Sequence, residues 1–169
     1  AKKGDRLVAA AAARALIPYL ADAVPGWFQA TLGLFDASGK EIAYADDNRF
    51  DPDPVLYCEI PADGDYVVEI KDSIYRGRED FVYRITVGQV PYLGGLFPLG
   101  GRTGTAVTVT AAGWNLPQPT LTVNAAAEAG VQRVSDDQGG RFSNRLPFAT
   151  DTLPECMESE PQNNRRPGQ

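Results

Sequence analysis

Apolar side chains recur at every second position over much of residues 30–87. Leu56, Cys58 and Ile60 alternate with Tyr57 and Glu59. Tyr66, Val68 and Ile70 repeat the pattern, and Phe81, Tyr83, Ile85 and Val87 carry it most cleanly. A period of two belongs to a strand, whose successive side chains leave opposite faces of a sheet. Ala30, Leu32 and Leu34 likewise share a face, and 41–45 returns after the turn Asp36-Ala37-Ser38-Gly39-Lys40. Another turn is expected at Pro61-Ala62-Asp63-Gly64, with the glycine supplying a positive φ. With 17 glycines and 13 prolines the chain is punctuated too often for long helices. Two segments are less decided. Residues 6–13 (RLVAAAAA) suit a helix by alanine content or a short buried strand. Residues 14–28 hold two prolines and read as a loop with one short helical piece near 14–24. Counting 6–13 as a strand gives six strands by Gly88.

Residues 89–91 look like a boundary. Beyond them charges thin out and Gly, Thr, Val and Ala dominate: PYLGGLFPLGG, TAVTVTAAG, PTLTVN, VQRV and RLPFAT read as short strands. From Asp151 the tail is acidic, then polar and proline-containing, and reads as a linker. The expected fold class is therefore all-β, with two small β-sandwiches in tandem over 1–89 and 90–150 and a linker over 151–169. Hydrophobic residues at 43% and charged residues at 22% are compatible with packed cores rather than wholesale disorder.

A formal net charge of −6 disfavours nucleic acid and anionic membrane surfaces as partners, and Arg165-Arg166 is too small a basic cluster to reverse that. No apolar run approaches the ~20 residues of a membrane span. The chain has no histidine, the commonest general base and transition-metal ligand. Ser38 therefore lacks a base to activate it, and the acidic loop lacks an apolar pocket to raise one carboxyl pKa for glycosidase chemistry. The expectation is that the chain is not an enzyme.

The segments LGLFDASGKEIAYADD, PADGDYVVEI and FVYRITVG, in that order, resemble the bacterial pre-peptidase C-terminal domain. That resemblance implies a jelly-roll-like β-sandwich, related to the collagen-binding modules of clostridial collagenases and found on secreted peptidases and large surface proteins. The opening AKKGDRLV is similar to an earlier strand of that family, which is why 6–13 is read as β. The family's first strands, with an E-x-E-P-N start, do not precede Ala1, whereas Glu158-Ser159-Glu160-Pro161-Gln162 resembles that start at the far end. A piece of a tandem array is the simplest account. Its first sandwich would lack an edge strand, to be covered by residues 15–28 or by self-association through the exposed edge rather than by the tail. FPLGGRTGTAVTVTAAGWNL resembles the immunoglobulin-like module shared by plexins and transcription factors (IPT/TIG-type). The pairing of the two is similar to large exported proteins of planctomycete-like bacteria.

Several residues are candidate ligands. Asp46, Asp47, Asp51 and Asp53, with Asn48, are dense enough in oxygen for Ca²⁺, although no EF-hand spacing is present; the alternative is a solvated turn. Tyr19, Trp27 and Phe28 form either a stacking platform for carbohydrate or peptide, or the closed end of a core. Asp72, Glu79 and Asp80 with Arg76 and Arg78 are either a ligand rim or a loop of weak ion pairs. Cys58 is expected to be a buried small hydrophobe, and a disulfide to Cys156 would be compatible with export. The expected function is a structural or adhesive module of a secreted, periplasmic or cell-surface protein, contacting protein, extracellular matrix or polysaccharide. Its rivals are a specific module for polysaccharide or collagen-like peptide, and a maturation segment of an exported peptidase.

Overall fold

The structure, a computed structural model, describes residues 1–16, 28–138 and 141–154. Strands β1 (Arg6–Ala12), β2 (Ala30–Asp36), β3 (Glu41–Ala45), β4 (Val55–Glu59), β5 (Tyr66–Asp72) and β6 (Arg84–Gly88) form two three-stranded antiparallel sheets, ordered β4-β1-β6 and β3-β2-β5. Ala9 and Ala11 of one sheet pack on Leu32 and Leu34 of the other, with Leu56 and Ile60 completing the core. Strands β7 (Tyr92–Phe97), β8 (Gly100–Arg102), β9 (Ala106–Trp114), β10 (Thr120–Asn124), β11 (Gly130–Val134), β12 (Asp137–Gln138), β13 (Arg141–Phe142) and β14 (Leu146–Asp151) follow. Sheet β10-β9-β7 faces sheet β11-β14-β8 across Leu93, Val109, Val123 and Phe148. β12 and β13 pair as a separate ribbon, and β14 with β8 is a parallel pair. The chain is all-β, in two small sandwiches whose buried clusters share no residue.

The alanine run becomes strand β1 because sheet burial outweighs helix propensity. About eight residues are too few for a helix that lacks its own packing face. Here Leu7, Ala9 and Ala11 turn toward the sandwich core, while Val8, Ala10 and Ala12 line a cleft facing the second sandwich. A strand covered on both faces reads as an unbroken apolar run rather than an alternation. β1 pairs with β4 on one side and β6 on the other, so it is the central strand of its sheet. The free edges lie on the outer strands. The tail, from residue 155, lies outside the described residues.

Two local expectations need correction, and a third falls mostly outside the described residues. The alternation at Phe81 and Tyr83 is not a strand, since β6 begins at Arg84. Phe81 instead stacks on Phe28 at 5.2 Å between ring centroids, with Tyr83 tilted against the same ring at 6.0 Å. Gly64 does not adopt a positive φ; the turn is held by Ala1 and Lys3, whose backbone groups bond Gly64 and Asp63. The helical piece begins as a single 3₁₀ turn, Arg14–Leu16, and residues 17–27 lie outside the described set.

Separate cores predict additive damage. Leu34→Ala should cost about 2–5 kcal/mol and Phe148→Ala about 3–5 kcal/mol in urea unfolding. The double variant should equal their sum within about 0.5 kcal/mol. A coupling well beyond that would mean that the two sandwiches share one core.

Candidate functional site

The two sandwiches meet through the Gly113-Trp114-Asn115-Leu116 segment. Trp114 is the cross-strand neighbour of Tyr92, with ring centroids 5.5 Å apart. Its indole also lies parallel to Tyr57 of β4, in the other sandwich, at 5.3 Å and 2°. Asn115, at φ 55°, sends its amide N–H groups to the carbonyls of Arg6 at 2.8 Å and Val90 at 3.1 Å. One side chain thus ties the first strand to the connection between the sandwiches. Gly113 is required by packing: a Cβ there would overlap the Tyr92 carbonyl oxygen, where β7 bulges between Leu93 and Gly95. Leu116 then packs on the second core.

The acidic loop supplies a second connection. Asn48 and Asp51 exchange backbone bonds of 2.9 and 3.1 Å around a tight two-residue turn, with Arg49 at φ 64°. Asn48 Nδ2 donates to the Tyr92 hydroxyl at 2.7 Å. The Arg49 guanidinium lies against Gly94 and Gly95; a Cβ at Gly95 would come within 3.3 Å of it, and one at Gly94 would touch it at ordinary contact distance. Burial pushes the Tyr92 hydroxyl pKa up; the Asp51 charge adds to this and Arg49 opposes it.

The four candidate calcium ligands Asp46, Asp47, Asp51 and Asp53 take different places in this arrangement. Asp53 is 5% exposed. Its Oδ1 accepts the N–H groups of Ala13 and Arg14 at 3.0 and 2.8 Å, and its Oδ2 accepts that of Ala15 at 2.9 Å. It caps the 3₁₀ turn rather than facing an open site. Asp51 Oδ1 accepts the Asp53 N–H at 3.0 Å. Asp46 and Asp47 stay exposed. Among the described residues no group of three or more acidic or cysteine side chains could hold a metal ion.

Between the sandwiches lies a cleft of about 600 Å³. Its floor is the outer face of sheet β4-β1-β6: Val8, Ala10, Ala12 and Val55, flanked by Thr86. Arg49 and Arg84 enter it from the first sandwich, Arg133 and Arg145 from the second. All four are exposed, and none has a carboxylate partner among the described residues. The uncharged polar groups along its wall are satisfied internally. Asn144 accepts the Leu93 N–H at 2.6 Å and donates to the Leu93 carbonyl at 2.8 Å, closing the second sandwich at its bulge. Ser143 Oγ accepts the Asp136 N–H and donates to the Asn144 carbonyl.

The remaining candidates disperse. Phe28 is 4% exposed and stacked on Phe81, so it closes a small core with Ala13 and Ala30 and offers no platform. Tyr19 and Trp27 lie outside the described residues. Asp72 was expected on a solvated loop, yet it is 3% exposed. Its oxygens accept the backbone N–H groups of Gln29, Ile74 and Arg76 and a two-pronged Arg76 guanidinium at 2.9 Å. The guanidinium, with those N–H groups, holds its carboxyl far below the usual carboxylate range against the opposing effect of burial. Arg78 and Asp80 form an exposed pair. Cys58 is part-buried beside the first core, with its thiol pKa pushed up by burial and by Glu59; Cys156 lies outside the described residues. The Ser38 hydroxyl donates to Asp36 at 2.6 Å within its hairpin turn.

Comparisons with protein-family models, with curated proteins and with solved structures found no match to this chain.

Three outcomes follow from these carboxylates. Asp53→Ala strands three N–H groups and should cost about 1–3 kcal/mol. In the unaltered chain, millimolar Ca²⁺ should leave the melting temperature in place; a rise that Asp47→Ala removes would restore the metal site. Asp72 titrates lower in the folded chain than in the unfolded one. The stability it contributes is complete above the unfolded carboxylate's pKa, near pH 4, and is lost as pH falls below that. Asp72→Asn should therefore cost about 2–4 kcal/mol at pH 7 and flatten the acid limb of the stability profile. A parallel offset at every pH would contradict the assignment.

Proposed function

We propose that this chain is a non-catalytic structural or adhesive unit of an exported, multidomain bacterial protein, acting as a spacer of fixed geometry. The observation that carries this reading is the junction. Trp114, Asn115, Asn48 and Arg49 spend aromatic area and directional hydrogen bonds on holding one sandwich against the other. A flexible pair of modules joined by residues 89–91 would need none of them. The reading takes residues 1–89 as similar to a pre-peptidase C-terminal sandwich and residues 90–150 as similar to an immunoglobulin-like module. Such modules position or anchor their neighbours and make protein or matrix contacts. Among the described residues no helix is long and apolar enough to cross a membrane.

The test is Trp114→Ala. Losing two ring contacts should lower stability by about 1–3 kcal/mol. Small-angle scattering should show a larger radius of gyration and a broader range of shapes than in the unaltered chain. Unchanged scattering, or an unaltered chain that already samples many shapes, would remove the support for a fixed spacer.

A further inference from the structure

The inter-sandwich cleft combines an apolar floor with four arginines that have no carboxylate partner among the described residues, in a chain whose net charge is −6. Arginines repel one another, and folding gains nothing from placing four around one cavity without counter-charges. Two carboxylates also border the cleft. Asp53, however, uses both oxygens on the 13–15 turn, and Asp51 binds the backbone of its own loop. Those bonds orient the two carboxylates without neutralising them, so four arginines face two anions; the local excess is cationic against an acidic whole, and a concave site focuses such a field on an incoming anion.

We propose that this cleft receives an extended acidic peptide segment of a partner protein. Carboxylates of the peptide would pair with Arg84 from the first sandwich and Arg133 from the second, with Arg49 and Arg145 at the rim. A planar guanidinium takes a carboxylate through two parallel N–H bonds, which favours discrete carboxylates over diffuse charge. Three observations favour a peptide over an acidic polysaccharide. First, the floor is aliphatic, made by Val8, Ala10, Ala12 and Val55, and suits the methylene stems of glutamates. Second, sugar rings bind through free aromatic faces, but among the described residues the one aromatic ring at this cleft, Tyr92, stacks on Trp114 and its hydroxyl is engaged by Asn48. Third, three strands span about 10 Å, the length of about three residues of extended peptide. The cavity, about 600 Å³, matches the size of sites that bury short ligand segments. The proposal rests on the spacer reading, because a site built from both sandwiches exists only while their orientation is fixed.

Titration calorimetry with hexaglutamate on the full chain tests it, with hexaglutamine and an oligogalacturonate as controls. Hexaglutamate should bind with a Kd below about 1 mM at low salt and weaken steeply as salt approaches about 0.5 M. Hexaglutamine should not bind. Arg84→Gln and Arg133→Gln, each at an exposed position, should weaken binding about tenfold apiece with unchanged melting. Arg84→Glu with Arg133→Glu should abolish it. Absent binding of hexaglutamate, equal binding by the arginine variants, or tighter binding of the oligogalacturonate would each overturn the proposal. Scattering from the same samples separates the two failures. A fixed shape without hexaglutamate binding sinks the peptide site alone, whereas a variable shape sinks the spacer with it.

Discussion

The indole of Trp114 lies parallel to Tyr57 of the first sandwich and packs on Tyr92 of its own. Most of what distinguishes this chain from two independent modules depends on that placement. It sets the separation at which Asn115 reaches the Arg6 carbonyl and Asn48 reaches the Tyr92 hydroxyl. It also covers the outer face of sheet β4-β1-β6 at Tyr57, and the rest of that face floors the cleft between the sandwiches. Glycines make the approach possible: a side chain at 95 would crowd Arg49, and one at 113 would strike the Tyr92 backbone.

The energetics are of two kinds. Each sandwich has its own apolar core, and burial of Leu32, Leu34 and Phe148 supplies the dominant stabilisation there. The junction is smaller, more polar and directional, as interfaces between domains generally are. Buried carboxylates serve local order. Asp53 fixes the exit from β1, and Asp72 fixes the loop after β5 through Arg76 and three backbone N–H groups. The lowered carboxyl pKa of Asp72 places acid sensitivity in the loop after β5, whereas rings and amides carry the junction.

Strands with one face in a core and one in solvent were legible from period-two spacing, as at Tyr66, Val68 and Ile70. β1 was ambiguous because its second face meets the other sandwich, a partner that no local pattern encodes. Phe81 and Tyr83 misled for the opposite reason: their alternation suits a strand, but Phe28 captures both rings outside the ladder. The acidic loop was visible as a cluster, yet composition does not reveal that Asp53 caps a turn 38 to 40 residues earlier. No local sequence pattern groups the cleft arginines. Arg49, Arg84, Arg133 and Arg145 are scattered along the chain and converge only after both sandwiches form and dock. Their one sequence signal was arginine in an otherwise acidic chain.

The central claim is that two sandwiches with separate cores behave as one rigid body. Spin labels on exposed positions of each, at Glu41 and Val131 in a background lacking Cys58 and Cys156, would report it through the distance distribution between them. A single narrow distribution, unchanged by temperature short of unfolding, is the predicted result. A broad or multi-peaked distribution in the otherwise unaltered chain would contradict it.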